Sequence, residues 1–312
     1  MEKNAKIYVA GHTGLFGTAL CRQLKEQGFH NLVLRTHEQL DLTNQAATNT
    51  FFEEIKPDYV ILAAAKVGGI QANRTQMADF IMENMQIECN VLSAAHAVGV
   101  KKLLFLGSSC LYPGNAEQPV KEEAILTGSC EPTNEGFAIA KIAGIKMCEY
   151  YHKQYGDHFI SCIPANVYGP GDDFNPETGH VISALMARMH IAKVNHVPQI
   201  EIWGSGIAER EFLYIDDAAD ACIKLLEAYD EPETINLGMG KSTSIKELAY
   251  VIKDVVGYDG EIVFDRSKPD GMLKRFLDSS KAISLGITAE TVLKDGLQKT
   301  YEWYISDIAN QD

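Results

Sequence analysis

The chain has 312 residues, of which 46% are hydrophobic and 22% charged, the composition of a folded globular protein rather than a disordered one. This length allows one large domain or two modest ones. The formal net charge of −14 argues against a nucleic-acid-binding protein, because the surface as a whole would repel a polyanion.

Strands alternate with helices through the first half of the sequence. Short apolar, β-rich runs predict strands at Lys6 to Ala10, Asn31 to Leu34, Tyr59 to Ala63, Leu103 to Leu106 and Phe159 to Ile163. The segments between them predict helices at Leu15 to Gln27, Gln45 to Ile55, Met77 to Val98 and Phe137 to Tyr155. Such alternation requires parallel crossovers, so residues 1–165 are predicted to form a Rossmann-like, doubly wound α/β domain with a parallel sheet.

The alternation breaks after Pro164. Asn166 to Gly179 is rich in Gly, Pro, Asn and Asp, and shorter elements with glycine turns follow it. Residues 166–312 are therefore predicted to form a smaller, mixed domain that mainly binds the substrate. The boundary is open, because a strand near 235–238 is also compatible with a return to the first sheet.

The cysteines and the apolar runs bear on the compartment. Seven cysteines show no C-x-x-C pair and no metal-ligand spacing with histidine, so we expect reduced thiols and a cytoplasmic protein. Met1 to Lys6 is polar, and the longest apolar run, Tyr59 to Ala65, is far shorter than the ~20 residues that span a membrane. We expect no secretion signal, no membrane role and no metal site.

Three glycines stand between the first strand and the first helix. Gly11, Gly14 and Gly17 are spaced G-x-x-G-x-x-G. In this context glycines permit a tight turn, close approach of the backbone to a pyrophosphate, and close packing of helix on strand, while the helix N-terminus faces the negative charge. The loop predicts a dinucleotide site, with a plain glycine-rich turn as the alternative.

The end of the second strand bears on which dinucleotide is bound. It carries Arg35, Thr36 and His37, where NAD-specific proteins often place an acidic residue on the adenosine ribose. A cation suits the 2′-phosphate of NADP, so NADP(H) is the expected cofactor. The alternative is that Arg35 and His37 are simply solvated.

Polar residues follow the fourth strand and begin the long helix after it. Gly107, Ser108, Ser109 and Cys110 lie at the carboxyl end of a predicted parallel strand, where open α/β sheets bind ligands. Phe137 and Lys141 are four residues apart and share a helix face. These two segments are the candidates for a catalytic site.

At these residues the chain resembles the extended short-chain dehydrogenase/reductases, which use a serine, a tyrosine and a lysine with the last two spaced Y-x-x-x-K. The finer resemblance is to the GDP-L-fucose synthases and covers nearly the whole chain. It is carried by AAAKVGGIQAN, LLFLGSSCLYP, EPTNEGFAIAKIAGIKMCE, NVYGP, WGSG, REF and SKPDG.

The resemblance implies a set of cofactor contacts. Beside the three glycines, Arg35 and His37, they are His12, Thr13, Leu15, Phe16, Asp41, Leu42, Leu106, Gly107, Ser108, Ser109, Lys141, Pro164, Ala165, Asn166, Val167 and His180. His12, Thr13 and His37 stand where some relatives carry arginine near the cofactor phosphates. The preference for NADP over NAD therefore depends mainly on Arg35 and the resemblance.

The catalytic residues show one departure from the family. Its serine corresponds to Ser108 and its lysine to Lys141, but Phe137 stands where the family has the tyrosine that donates a proton to the C4 oxygen. Loss of a general acid typically lowers a rate by about 10² to 10⁴, so a poor reductase that still binds its cofactor is predicted. An engineered variant and a natural divergence are both open.

The resemblance also implies an epimerisation pair, Cys110 and His180. Protons at C3 and C5 of the sugar flank the C4 ketone, so their removal gives an enolate. A thiolate can remove such a proton and an imidazole can return one from the other face. Without the resemblance, a buried packing cysteine and a loop histidine are the simpler interpretations.

GDP-sugar contacts are implied at Asn166, Arg188, Trp203, Arg210 and Asp270. Arginine binds diphosphate oxygens in a fork, tryptophan offers a flat face, and a carboxylate accepts from ribose or guanine. Surface salt bridges for the arginines and core packing for the tryptophan are the alternatives.

The predicted function is the two-step conversion of GDP-4-keto-6-deoxy-D-mannose to GDP-L-fucose, with reduction impaired by Phe137. Two alternatives remain: a related GDP-sugar reductase or epimerase acting on another sugar, and a non-catalytic NADP-binding sensor. The resemblance implies a homodimer formed through the helices at Met77 to Val98 and Phe137 to Tyr155.

Overall fold

The structure is a computed structural model that describes residues 1–268 and 270–309. Its strands are β1 (Ile7–Ala10), β2 (Leu32–Val33), β3 (Tyr59–Leu62), β4 (Lys102–Leu106), β5 (Phe159–Pro164), β6 (Asn166–Tyr168), β7 (Gln199–Trp203), β8 (Glu209–Arg210), β9 (Phe212–Tyr214), β10 (Ile235–Leu237), β11 (Thr243–Ser244), β12 (Glu261–Asp265) and β13 (Lys274–Arg275). Its α-helices are α1 (Leu15–Glu26), α2 (Gln45–Ile55), α3 (Ile70–Thr75), α4 (Met77–Val98), α5 (Glu135–Tyr155), α6 (Val181–Val194), α7 (Ile215–Ala228), α8 (Ile245–Val256), α9 (Ser280–Ser284) and α10 (Leu293–Ala309).

A six-stranded sheet forms the centre of the molecule. Its strand order is β2-β1-β3-β4-β5-β10, and the pairings are parallel. The predicted doubly wound α/β fold is confirmed. The order reverses at β1, because β2 lies on one side of it and the later strands on the other. Ligands of open α/β sheets bind beyond the carboxyl ends of the strands at such a reversal, which places the expected crevice after β1 and β3.

Helices on both faces explain why the central strands are apolar throughout. Leu103, Leu104 and Phe105 of β4 are fully buried, as are Val60, Ile61 and Leu62 of β3, although their side chains point alternately to opposite faces. α4 packs beside α5, and α1 packs against α7.

The second half of the chain contributes to the central sheet and also forms its own small sheets. β10 pairs with β5, with Ile235 opposite Cys162, and α7 lies on α1 with an ion pair between Arg22 and Asp216. The other strands form the sheets β11-β8-β13, β12-β7 and β6-β9. The division into domains at 165 and 166 stays a prediction, because the chain crosses between the two parts.

The second half is more regular than the glycine turns suggested. It contains helices of 12 to 17 residues, α6, α7, α8 and α10. In the part of the chain that the structure describes, no helix is both long enough and apolar enough to cross a membrane.

Candidate active site

One cavity of about 940 Å³ opens at the reversal of strand order. The glycine loop lines one part of it, together with Arg35 and His37 at the end of β2. Ser108, Cys110, Phe137, Lys141 and His180 line the same cavity. The structure therefore brings together the predicted cofactor loop and all five predicted catalytic residues.

The glycine loop is close-packed at two of its three glycines. Gly11 has a φ of 82°, and an added Cβ there would lie 2.7 Å from the Cα of Ala64, which follows β3. A Cβ on Gly17 would collide with the carbonyl oxygen of Gly11. A Cβ on Gly14 would meet only that same oxygen, at 3.6 Å, so the protein itself leaves room there. The packing of the protein therefore does not explain a glycine at position 14, and close approach of a ligand to its backbone stays a prediction.

Arg35 is held at the mouth of the cavity. Its Nη1 donates to the carbonyl oxygen of Leu34 at 2.8 Å, and its guanidinium lies 5.6 Å from the ring centre of Phe51. His37 is mostly exposed, with Nδ1 4.0 Å from Oδ1 of Asp41. Hydrogen bonds from Thr43 hold the pKa of Asp41 below its usual range. Arg35 is thus the better-placed cation for a phosphate.

The other predicted cofactor residues, with one exception, line the cavity. They are Thr13, Leu15, Phe16, Asp41, Leu42, Leu106, Gly107, Ser109, Pro164, Ala165, Asn166 and Val167. The exception is His12, which is absent from the cavity wall and whose Nδ1 is buried without a hydrogen-bond partner in the described structure.

Ser108 and Cys110 lie in the turn that follows β4. The Cys110 Sγ donates to the Ser108 Oγ at 3.2 Å. Burial raises the pKa of the Cys110 thiol, while Ser108, Arg275 and Lys141 act in the opposite direction. The thiol therefore needs nearby positive charge to become a thiolate near neutral pH.

Lys141 lies deep in the site and faces a buried carboxylate. Its Nζ is 3.3 Å from Oε1 of Glu88 on α4, and both side chains are almost completely buried. Burial raises the pKa of Glu88 to about 7, although Lys141 acts against this rise. Sequence reasoning missed Glu88, because only the packing of α4 on α5 brings it to the lysine.

Phe137 is surrounded by rings and a cation. Its ring packs edge-on against Phe80 at 6.5 Å between centres, and Nζ of Lys141 lies 5.8 Å from the Phe137 ring centre. The ring thus occupies a cavity wall beside Lys141, but it offers no hydrogen-bonding group.

His180 stands immediately before α6 and pairs with a carboxylate in the preceding loop. Its Nδ1 lies 3.0 Å from Oδ1 of Asp172, whose side chain is almost completely buried. This hydrogen bond is the main reason that the pKa of His180 is raised above its ordinary value. The pairing leaves Nε2 for another partner and favours the protonated imidazolium, the form of an acid.

The predicted substrate residues are spread more widely. Asn166 and Arg210 line the cavity, whereas Arg188, Trp203 and Asp270 do not. Trp203 is 69% exposed, so the core alternative is wrong, and Lys268 lies over its ring at 5.5 Å. Arg188 donates to the carbonyl oxygen of Glu201, and Asp270 accepts from Ser205 N at 2.6 Å and Ser205 Oγ at 2.8 Å.

Several cavity residues were not predicted. The segment after β3, from Ala63 to Gly69, lines the cavity with Asn73, Glu83, Tyr168 and Phe212. The position of this segment after a predicted parallel strand was the available signal. Lys66 in it contacts Glu83, with Nζ 2.6 Å from Oε1.

A parallel sheet with a glycine loop at its strand-order reversal defines a dinucleotide-binding α/β protein, and here a serine and a lysine line the same cavity. The chain belongs to the NAD dependent epimerase/dehydratase family, whose model matches residues 7–238 and so includes the whole central sheet.

Relatives of this chain bear more specific names. GDP-L-fucose synthase 1 of Arabidopsis thaliana is 56% identical over 310 residues, which are 99% of this chain and 96% of the relative. GDP-L-fucose synthase of Escherichia coli strain K12 is 48% identical, with 98% of both proteins covered. The solved structure of a GDP-mannoheptose C4 reductase from Campylobacter jejuni with NADP bound is 42% identical, with a TM-score of 0.90 over 98% of this chain and 99% of that one. The predicted resemblance is confirmed.

Proposed function

We propose that the chain is an NADP(H)-dependent enzyme that converts GDP-4-keto-6-deoxy-D-mannose to GDP-L-fucose. It epimerises the sugar at C3 and C5 and then reduces the C4 ketone. The observation that carries the proposal is the single cavity that joins the glycine loop to Ser108, Cys110, Lys141 and His180. The two GDP-L-fucose synthases that match almost the whole chain support the choice of substrate.

The residues present fit a bound NADP(H). The room at Gly14 and the N-terminus of α1 suit the pyrophosphate, and Arg35 suits the 2′-phosphate. The solved relative that holds NADP supports this cofactor. Bound there, NADPH supplies the hydride for reduction, while Ser108 and Lys141 bind and orient the groups around the ketone.

Epimerisation uses two side chains that line the cavity, Cys110 and His180. Cys110 as a thiolate removes a proton from C3 or C5, and the electron pair moves to the C4 oxygen to give an enolate. His180 returns a proton to the carbon from the other face, and its pairing with Asp172 keeps the imidazolium available. Neither step needs a hydroxyl at position 137.

Reduction does need a proton for the C4 oxygen, and Phe137 has no hydroxyl group to donate it. We therefore expect epimerisation without efficient reduction in this chain. Phe137→Tyr should raise the rate of NADPH consumption by about 10² to 10⁴, because it supplies a positioned general acid beside Lys141. Phe137→Leu, which also lacks a hydroxyl, is the matched control and should leave reduction slow.

The test separates the two steps. The chain is incubated with GDP-4-keto-6-deoxy-D-mannose in D₂O, and deuterium at C3 and C5 is measured by mass spectrometry. NADPH is then added and its absorbance is followed. Absence of deuterium incorporation in both the native chain and Phe137→Tyr would contradict the epimerase assignment. Equal and fast NADPH consumption in both forms would contradict the role of position 137.

A related reductase that acts on another GDP-sugar is the second candidate. The likeness to a GDP-mannoheptose C4 reductase, at a TM-score of 0.90, favours it. The same incubation with a GDP-4-keto-heptose distinguishes the two, because the better substrate has the higher kcat/KM in Phe137→Tyr.

We also infer a cytoplasmic homodimer. The helices α4 and α5 pack side by side and leave large apolar or aromatic side chains exposed: Met82, Ile139, Tyr150 and Tyr155. A second copy of the chain would cover this surface. A stable monomer in light scattering would contradict the dimer.

The described cysteines are free thiols, which supports a reducing compartment.

A further inference from the structure

Arg275 lies behind the catalytic turn and is only 8% exposed. Its Nη1 donates to the carbonyl oxygen of Ser109 at 3.2 Å. Its Nη2 donates to the carbonyl oxygens of Tyr112 at 3.2 Å and Pro113 at 3.4 Å. A side chain from β13, far along the sequence, thus holds the turn that contains Cys110.

The backbone around Arg275 is fixed. Val120 N donates to the carbonyl oxygen of Phe276 at 2.9 Å, and Leu277 N donates to Oε2 of the buried Glu211 at 2.8 Å. On β8, Arg210 lies opposite Arg275 in the parallel register. Arg275 is therefore a cation held in a fixed position behind the turn rather than a mobile surface side chain.

Among the described residues, the guanidinium of Arg275 has no carboxylate in direct contact. In the described ranges 1–268 and 270–309, no carboxylate forms a salt bridge with Arg275, and its Nε has no hydrogen-bond partner. Burying a cation in this way is costly, and carbonyl oxygens offset only part of that cost. The neighbouring group that most favours the charged form of Arg275 is Cys110, followed by Glu131 and Cys130.

The influence is mutual. Burial raises the pKa of Cys110, and the hydrogen bond with Ser108 and the charges of Arg275 and Lys141 act against that rise. The turn that Arg275 holds contains two ionisable groups, Cys110 and Tyr112. Burial raises the pKa of the Tyr112 phenol far above neutral pH, so Cys110 is the group whose ionised form, a thiolate, would give the buried guanidinium an anionic neighbour.

We propose that Arg275 is a positioning residue for epimerisation, which holds the turn at 109–113 and stabilises the thiolate of Cys110 with its buried charge. The proposal rests on the proposed function for its chemical purpose. The thiol first loses its proton to solvent; the thiolate then takes the proton from C3 or C5 as that C–H bond breaks. A cation that stays in place through this cycle offsets part of the rise that burial causes in the pKa of Cys110, so the thiolate forms more readily than it would without Arg275.

The test measures the thiol directly and needs no substrate. The whole chain is treated with iodoacetamide over a range of pH, and alkylation of Cys110 is quantified by peptide mass spectrometry, with the exposed Cys89, on which Arg275 has no resolved influence, as an internal reference. The variants are Arg275→Gln, which keeps a donor without the charge, and Arg275→Lys, which keeps the charge. Lys274→Met removes an exposed neighbouring cation that pairs with Glu209 and serves as the matched control.

In Arg275→Gln we expect the midpoint of Cys110 alkylation to rise by about one pH unit, which is about tenfold slower alkylation below the midpoint. Arg275→Lys should stay near the native midpoint, and Lys274→Met should not differ from it. Equal midpoints in the native chain and Arg275→Gln would overturn the proposal, as would an equal shift in Arg275→Lys.

Circular dichroism checks that each variant is folded, and Arg275→Met offers a second neutral side chain if Arg275→Gln does not fold. Deuterium exchange into the GDP-sugar should follow the same shift in pH. If the native chain shows no exchange at all, the proposed epimerisation fails, and the alkylation midpoints still decide the role of Arg275.

Discussion

Individual side chains at this site are paired with groups of opposite charge. The imidazole of His180 faces Asp172, and the ammonium of Lys141 faces Glu88. The pairing with Asp172 raises the pKa of His180, whereas burial raises the pKa of Glu88 against the effect of Lys141, so pH dependence is the most direct way to test both pairs.

Asp172→Asn should weaken His180 as an acid. The hydrogen bond to Asp172 raises the pKa of His180. Its loss should therefore make deuterium exchange at C3 and C5 of the sugar decline at a lower pH on the alkaline side of the pH profile. The neighbouring Asp173 acts in the same direction and remains. The measurement is the exchange rate against pH, with Glu177→Gln, an exposed carboxylate of the same loop, as the control.

The raised pKa of His180 also makes the free energy of unfolding depend on pH. A histidine whose pKa is raised on folding stabilises the fold fully below its unfolded pKa of about 6.5, and this contribution is lost as pH rises through the raised value. Asp172→Asn should therefore lose stability at acidic pH and little at alkaline pH. An unchanged exchange profile together with unchanged acid stability would contradict the pairing.

Glu88→Gln should remove a pH dependence from folding. The pKa of Glu88 is raised to about 7, so the native state binds more protons than the unfolded state between about pH 4.5 and 7. The free energy of unfolding should fall across that range by about 3 kcal/mol in the native chain because of this group. Urea unfolding at pH 5 and pH 8 measures it.

The control for Glu88 is Glu83→Gln, on the same helix. Glu83 pairs with Lys66 at the cavity wall and is partly exposed, so its removal should have a small effect. The prediction is wrong if the free energy of unfolding falls by the same amount between pH 5 and pH 8 in Glu88→Gln and in the native chain.

At the scale of elements, the loop before α6 is attached to the last helix. Phe174 stacks on Tyr304 of α10 with ring centres 4.5 Å apart and lies 5.9 Å from Trp303. This contact fixes the loop that carries Asp172, and so it links the C-terminal helix to the position of His180.

The glycine loop permits a matched pair of substitutions. Gly17→Ala should destabilise the protein without any ligand, because the new Cβ would collide with the Gly11 carbonyl oxygen. Gly14→Ala should leave the ligand-free protein stable and weaken NADPH binding, because the protein leaves room and the pyrophosphate does not. Thermal unfolding and NADPH fluorescence measure the two effects, and tight NADPH binding by Gly14→Ala would contradict this placement of the pyrophosphate.

The elements of residues 1–165 were predictable because their patterns are local. The apolar runs and the glycine loop predicted β1, α1, β3 and β4 within a residue or two of their observed ends. α6 was not predicted, because its sequence VISALMARMHIAKV is apolar around most of the helix and shows no clear 3.6-residue period. Glu88, Asp172 and Arg275 were missed for a different reason: their roles come from contacts that only the folded chain creates.

At the scale of the whole molecule, the central sheet is assembled from both halves of the chain. A fragment of residues 1–165 lacks β10 and α7, so β5 becomes an open edge and the face of α1 that packs on α7 is uncovered. We expect this fragment to aggregate and to show no cooperative urea unfolding by circular dichroism. A cooperative, monomeric fragment would support a boundary at 165 and 166, and the full-length chain is the control.

The late arrival of β10 also affects how the protein is made. β5 is complete at Pro164, but its neighbour on the open side is synthesised about seventy residues later. On the ribosome, the nascent chain therefore exposes a hydrophobic sheet edge until residue 237 has emerged, at synthesis rates of about 5–20 residues per second. Slow translation between β5 and β10 would lengthen the interval in which neighbouring nascent chains can pair through that edge.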